Sequence, residues 1–187
     1  MSPEEACSIL SAHSTVDSGR FYGPATGLQA GTGLIFEGVR CPHYEAEDRV
    51  YATVENCVYV LTHECDISQE NTRVFNDFFV VCPVMTIESV VGEYLDFCRD
   101  ISTLTSFLAQ VAQRRVSRMI YLPPAGPGPL ELGGFIYLNN LVSTGIQEIS
   151  GREGIVALSG YGLQIVDQVL MNHLLRPKSQ ALPLTVQ

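Results

Sequence analysis

Two short runs hold most of the residues whose types and spacing could do chemistry. Cys41-Pro42-His43 is a C-x-H pair, and His63-Glu64-Cys65 is its mirror image, with Asp66 directly behind it. Residues two apart on a strand share a face, so each pair can aim a thiol and an imidazole the same way. Together Cys41, His43, His63 and Cys65 supply two thiolates and two imidazoles, a tetrahedral zinc set. The spacing is not the C-x-x-C of zinc knuckles, and Pro42 interrupts one run, so zinc rests on ligand type and number. Cys65 is also a candidate nucleophile, with His63 or His43 as its base, because attack needs a thiolate. Neighbouring Glu64 and Asp66 work against a thiolate there. A third reading is structural. Cys65 then fills a small space in the core, and the Asp66 carboxylate accepts backbone N–H bonds where the chain turns into "ISQEN". The structural reading is the expected one, no cofactor is required by it, and zinc is the contender.

These residues must be positioned by a chain of 187 residues, 46% hydrophobic and 17% charged, enough for one domain with a real core. Twenty acidic residues against 11 basic ones give a net charge of -9. Such a chain has no general attraction for phosphate backbones, so nucleic acid is not the expected partner. The one basic cluster, Arg114, Arg115 and Arg118, reads as a solvated helix end. No run approaches the ~20 apolar residues of a membrane span. The opening "MSPEEACSILSAH" lacks the apolar stretch of a secretory signal. Six scattered cysteines without C-x-x-C pairs then fit a reduced, cytoplasmic protein.

Local patterns set the expected elements. Ser2, Pro3, Glu4 and Glu5 start a helix over 3–12. The Gly-rich stretch "GRFYGPATGLQAGTG" is expected to be irregular. Strands are expected at 33–39, at 49–63 with a turn or bulge at Glu55-Asn56, and at 74–85. Ile87, Val90, Val91, Tyr94, Leu95 and Cys98 then repeat at helical spacing, and Leu104, Phe107, Leu108 and Val111 do so again. A strand "SRMIYLPP" leads into "AGPGPLELGG", expected to be a mobile surface loop. Strands "FIYLNNL", "TGIQEIS" and "GIVALS" follow, and Ser159 caps a last helix running to about Arg176. The expected fold is α+β. A small, strongly bent antiparallel barrel spans about 33–85 and 117–158, with a helical insertion at 86–116, a C-terminal helix at 159–176 and a flexible tail at 177–187.

The runs "GLIF" at 33–36, "CVYVLTHECDI" at 57–67 and "FVVCPV" at 79–84 resemble, in order and spacing, a diffuse group of uncharacterised bacterial and prophage proteins. The likeness continues through "IYLPP" and "IVALS". More distantly, the first half resembles the MazF and PemK toxins, Src-homology-3-like barrels that cleave RNA. In that family a basic residue precedes the Val run and a hydroxyl residue follows the Pro-Val pair. Here Glu55-Asn56-Cys57 stand at the first place, and the hydroxyl is displaced past Met85 to Thr86. The resemblance implies the barrel, with Thr86 as the residue to test for ribonuclease activity. The function expected is therefore a non-catalytic protein-binding component of a bacterial conflict, defence or prophage system. The alternatives are a MazF-like endoribonuclease and a zinc-binding or cysteine-dependent protein using Cys65 with His63 or His43.

Overall fold

The structure, a computed structural model, describes residues 1–24, 31–45, 48–63, 66, 77–98 and 100–175, the side chains of Phe97 and Cys98 excepted. Helix α1 (Pro3–His13) forms as its first turn dictates. The Ser2 hydroxyl accepts from the Glu5 amide at 3.2 Å, and the Glu5 carboxylate accepts from the Ser2 amide at 2.7 Å. The start of the Gly-rich stretch carries more order than expected, while residues 25–30 lie outside the described residues. Asp17 caps a one-turn helix α2 (Ser18–Phe21), and strand β1 (Tyr22–Gly23) follows at once. Phe21, fully buried, is what anchors this turn.

The remaining strands are β2 (Leu34–Glu45), β3 (Val50–Val60), β4 (Phe78–Thr86), β5 (Met119–Leu122), β6 (Gly134–Tyr137), β7 (Val142–Gly145) and β8 (Val156–Leu158). Among the described residues every pairing is antiparallel, in the order β1-β8-β2-β3-β4-β6-β5, with β7 also on β4. The fold is thus α+β on an open antiparallel sheet. β4 has β3 along one side and two partners along the other, β7 at Phe78–Val81 and β6 at Val84–Thr86. That division lets one strand serve separate cores. Phe79 and Val81 join Val39, Val58 and Val60. Cys82 and Val84 join Ile35, Tyr59 and Ile136.

The β2–β3 hairpin differs from expectation in an instructive way. β3 runs unbroken through Glu55 and Asn56, and the irregularity lies on its partner, between Phe36 and Val39. Gly38 takes φ 68° there, a left-handed conformation that Glu55 and Asn56 would adopt less readily. Arg152 secures the bulge by donating to the Glu37 carbonyl at 3.2 Å. β2 then continues to Glu45, so Cys41-Pro42-His43 is strand. Pro42 is tolerated because β8 pairs with only Leu34 and Ile35 on the outer side of β2. Past that pairing the β2 edge is met by side chains: Thr144 donates to the Arg40 carbonyl at 2.7 Å, and Arg40 binds Glu148 through Nε and Nη2 at 3.1 and 2.7 Å.

Helices α3 (Ile87–Cys98) and α4 (Ile101–Ala112) follow β4, as the periodicity predicts. Their apolar stripes, with Ala6 and Leu10 of α1, form a third core against Met119, Tyr121 and Phe135. The loop after β5, expected to be mobile, is folded onto the protein. Leu130 is 1% exposed within the Ile35–Tyr59 core, and the Ala125 amide donates to the Leu130 carbonyl. The expected strand "TGIQEIS" is divided: β7 ends at Gly145 and a 3-10 turn (Ile146–Glu148) follows. Helix α5 (Gly160–Leu174) is capped by the Ser159 hydroxyl, which accepts from Gly162 at 3.1 Å. A Cβ on Gly162 would lie 2.3 Å from the Phe21 carbonyl oxygen, so the glycine is what lets α5 reach α2. Residues 176–187, expected to close the last helix and form a tail, lie outside the described residues.

Candidate functional site

The register places the sequence-flagged residues apart. Cys41 is 1% exposed among Val39, Val58 and Val81, and burial, with a smaller push from Glu148, raises its thiol to about 11. A thiol so placed is protonated near neutral pH, which disfavours it as a nucleophile. His43, two residues on, is exposed on the outer half of the hairpin. Cys41 pairs with Val54, and six further residues of β3, roughly 20 Å of strand, separate Val54 from Val60 before the chain reaches His63. Zinc bonds extend only about 2.0–2.3 Å, so Cys41, His43 and His63 do not meet around one ion. Cys65 and Glu64 lie outside the described residues. Among the described residues no three His, Cys, Asp or Glu side chains group as a metal site. The Asp66 amide donates to the His63 carbonyl at 2.9 Å. Burial also raises the Cys57 and Cys82 thiols to about 12, a nearby Glu37 adding to the effect at Cys57.

Thr86 has a specific local task. It ends β4 and precedes α3, and its hydroxyl accepts from the Ser89 amide at 3.2 Å. That is the N-cap geometry, in which the side chain satisfies an amide the helix leaves without a partner.

Among the described residues a concave surface lies where α3 and α4 meet β5 and β6. A cavity of about 410 Å³ is lined by Met85, Val90, Tyr94, Phe107, Met119 and Tyr137, with Glu93 and Arg118 also in its wall. A second depression of about 350 Å³ shares Tyr94 and Phe107 and continues along Ser102, Thr103, Ser106 and Gln110. Tyr94 and Phe107 are stacked, with centroids 5.1 Å apart and planes 22° from parallel. The two hollows therefore form one groove across an aromatic bridge. Its floor is apolar and polarizable, and its outer wall offers hydroxyl and amide groups. Volumes in this range suit a large side chain or a small ligand.

These groove residues are absent from the sequence-based candidates because Tyr94 and Phe107 fall on helical stripes that read as core. Both are only half-buried. A usable signal was present: α4 carries no charged residue over its 12 positions, although Ile101 is 55% exposed and Ser102, Thr103, Ser106 and Gln110 face solvent. A solvated helix normally carries charge on its outer face. The tip of the β2–β3 hairpin is a smaller exposed apolar feature, with Tyr44 and Tyr51 in ring contact at 5.2 Å.

No protein-family model, curated protein or solved structure matches the chain. Among the described residues no helix is long and apolar enough to cross a membrane.

Proposed function

We propose that this chain is a non-catalytic protein-binding module whose working surface is the α3–α4 groove. The observation that carries the reading is the open, aromatic-bridged groove beside a helix face without charge. Aromatic and Met side chains such as those lining the groove are what protein interfaces are enriched in. The capping task of Thr86 favours binding over ribonuclease chemistry. The finer fold proposed is a Src-homology-3-like barrel of the toxin type. The side-chain bridges from Thr144 and Glu148 to Arg40 support it, since they draw β7 and its following turn toward the β2 edge. A bacterial conflict or prophage setting is proposed on the sequence resemblance alone.

The test is capture from bacterial extract by wild-type protein and by a Tyr94→Ala/Phe107→Ala variant, with Tyr51→Ala as a surface control. A partner retained by wild type and Tyr51→Ala but lost with the groove variant is the expected result. Specific cleavage of a mixed RNA pool that disappears in Thr86→Ala would instead establish the ribonuclease alternative.

A further inference from the structure

Glu93 and Arg118 carry opposite charges in the wall of the same 410 Å³ cavity, yet they do not pair. The N-terminus pairs with Glu5 and Arg40 with Glu148, while no ion pair joins Glu93 and Arg118, so their charged heads stand more than 4.0 Å apart. Arg114, in the same short connection, is otherwise engaged, donating to Gln168 at 3.3 Å. The same cavity is lined by Met85, Val90, Met119 and the stacked Tyr94 and Phe107. A purely anionic ligand would meet Glu93 unfavourably, and a purely cationic one would meet Arg118. A neutral apolar ligand would use neither. A ligand complementary to both carries an acidic and a basic group on either side of a large apolar body.

The second hollow says what kind of molecule this is. Ser102, Thr103, Ser106 and Gln110 line it; the Ser102 and Thr103 hydroxyls donate to the Asp100 carboxylate and Gln110 donates to Ser106, which leaves hydroxyl lone pairs, the Ser106 hydroxyl proton and the Gln110 amide oxygen for the N–H and C=O groups of a peptide backbone. We propose that the groove takes a peptide segment in which one large apolar side chain is flanked by an acidic residue, set against Arg118, and a basic residue, set against Glu93. The apolar side chain fills the cavity under the aromatic bridge, and the backbone continues along α4. This rests on the protein-binding function proposed above and adds the recognition rule.

The test uses the full chain and fluorescein-labelled peptides on a Ser/Gly scaffold. Each peptide carries a central Leu, Met or Phe with Asp on one side and Lys on the other, one or two residues away, in both orientations. Fluorescence anisotropy should show saturable binding for one orientation. Binding should weaken roughly fivefold, the upper end for an exposed charge pair, when either peptide charge is replaced by Gln. Arg118→Glu should weaken binding similarly, and a peptide with Lys in place of its Asp should recover it. The Arg118 side chain is exposed, so circular dichroism should be unchanged. Equal binding of charged and Gln-substituted peptides overturns the inference. So does a wild-type dimer that Arg118→Glu dissociates, which makes a second copy the occupant, or binding that appears only after residues 176–187 are deleted. A captured protein that depends on Tyr94 and Phe107 but ignores Glu93 and Arg118 overturns this rule while leaving the proposed function in place. If neither peptide nor groove-dependent partner binds, both fall.

Discussion

Thr86→Ala separates a structural from a catalytic role at the residue the toxin resemblance singles out. The hydroxyl accepts one amide at the start of α3, and Ala leaves that amide to solvent. Losing such a cap costs about 1 kcal/mol, within a range of about 0.5–2 kcal/mol. The loss should stay within that range because Ile87, Val90 and Val91 are buried and hold the helix by packing. For a chain of this size it corresponds to a fall in Tm of roughly 2–4 °C per kcal/mol. Thr86→Ser keeps the accepting oxygen and should melt within about 1 °C of wild type, as Ser and Thr are close in capping strength. Scanning calorimetry on the three proteins gives the comparison, and urea titration supplies the free energy independently. An unchanged melting point in Thr86→Ala, or an equal loss in Thr86→Ser, would refute the capping role.

Leu130→Ala should lose about 2–5 kcal/mol, the range for a buried leucine, which urea unfolding would show; a mobile loop would lose almost nothing. Arg114 closes α4 at φ 60°, with Arg114 donating to Val111 and Arg115 to Gln110, the arrangement that normally selects glycine. Arg114→Gly should therefore stabilise by roughly 0.5–1 kcal/mol in the same assay, the relieved strain exceeding the added chain entropy. The thiols of Cys41, Cys57 and Cys82 are raised from 9.0 to about 11, 12 and 12, so the folded state holds their protons more tightly than the unfolded state. That contribution to stability is complete below pH 9 and is lost as pH rises through about 9 to 12, so urea midpoints should decline on the alkaline side. In native protein at pH 8, a thiol reagent should leave Cys41 and Cys82 unmodified, and mass spectrometry after labelling under denaturing conditions should find both modified.

Elements with strong local signals were legible in the sequence. α1 has its capping box, α3 and α4 have unbroken helical stripes, and α5 has Ser159. What was not legible depends on contacts between distant segments. Nothing local in "RCPHYE" distinguishes a turn from the outer half of a strand; the pairing from Val39 with Asn56 to Glu45 with Val50 decides it. The loop containing Leu130 is rich in Gly and Pro, so composition reads mobility, whereas one buried leucine and the Tyr22 hydroxyl bond to the Pro123 carbonyl hold it. The Cys and His pairs suggested a shared site because each is internally well spaced. Register, which single-sequence spacing cannot supply, sets Cys41 and His43 far from His63. The groove was hidden for the opposite reason, since its residues look like ordinary core until two helices leave them half covered.

β4 links the stable part of the molecule to the proposed binding surface. Phe79 and Val81 lie in one core, Cys82 and Val84 in a second, Met85 lines the groove, and Thr86 caps the helix that carries Val90 and Tyr94. The groove floor is thus tied to both cores through successive residues of one strand. Its aromatic bridge is not. Tyr94 and Phe107 are half-buried and stack on each other, so replacing either removes contact area without opening a sealed core. Neighbouring substitutions should accordingly part company: Val84→Ala should reduce stability, and Tyr94→Ala should reduce peptide binding with little change in melting temperature. Equal losses of stability at the two positions would mean that the bridge is a core element left partly open, and that the groove is not a surface shaped to receive a partner.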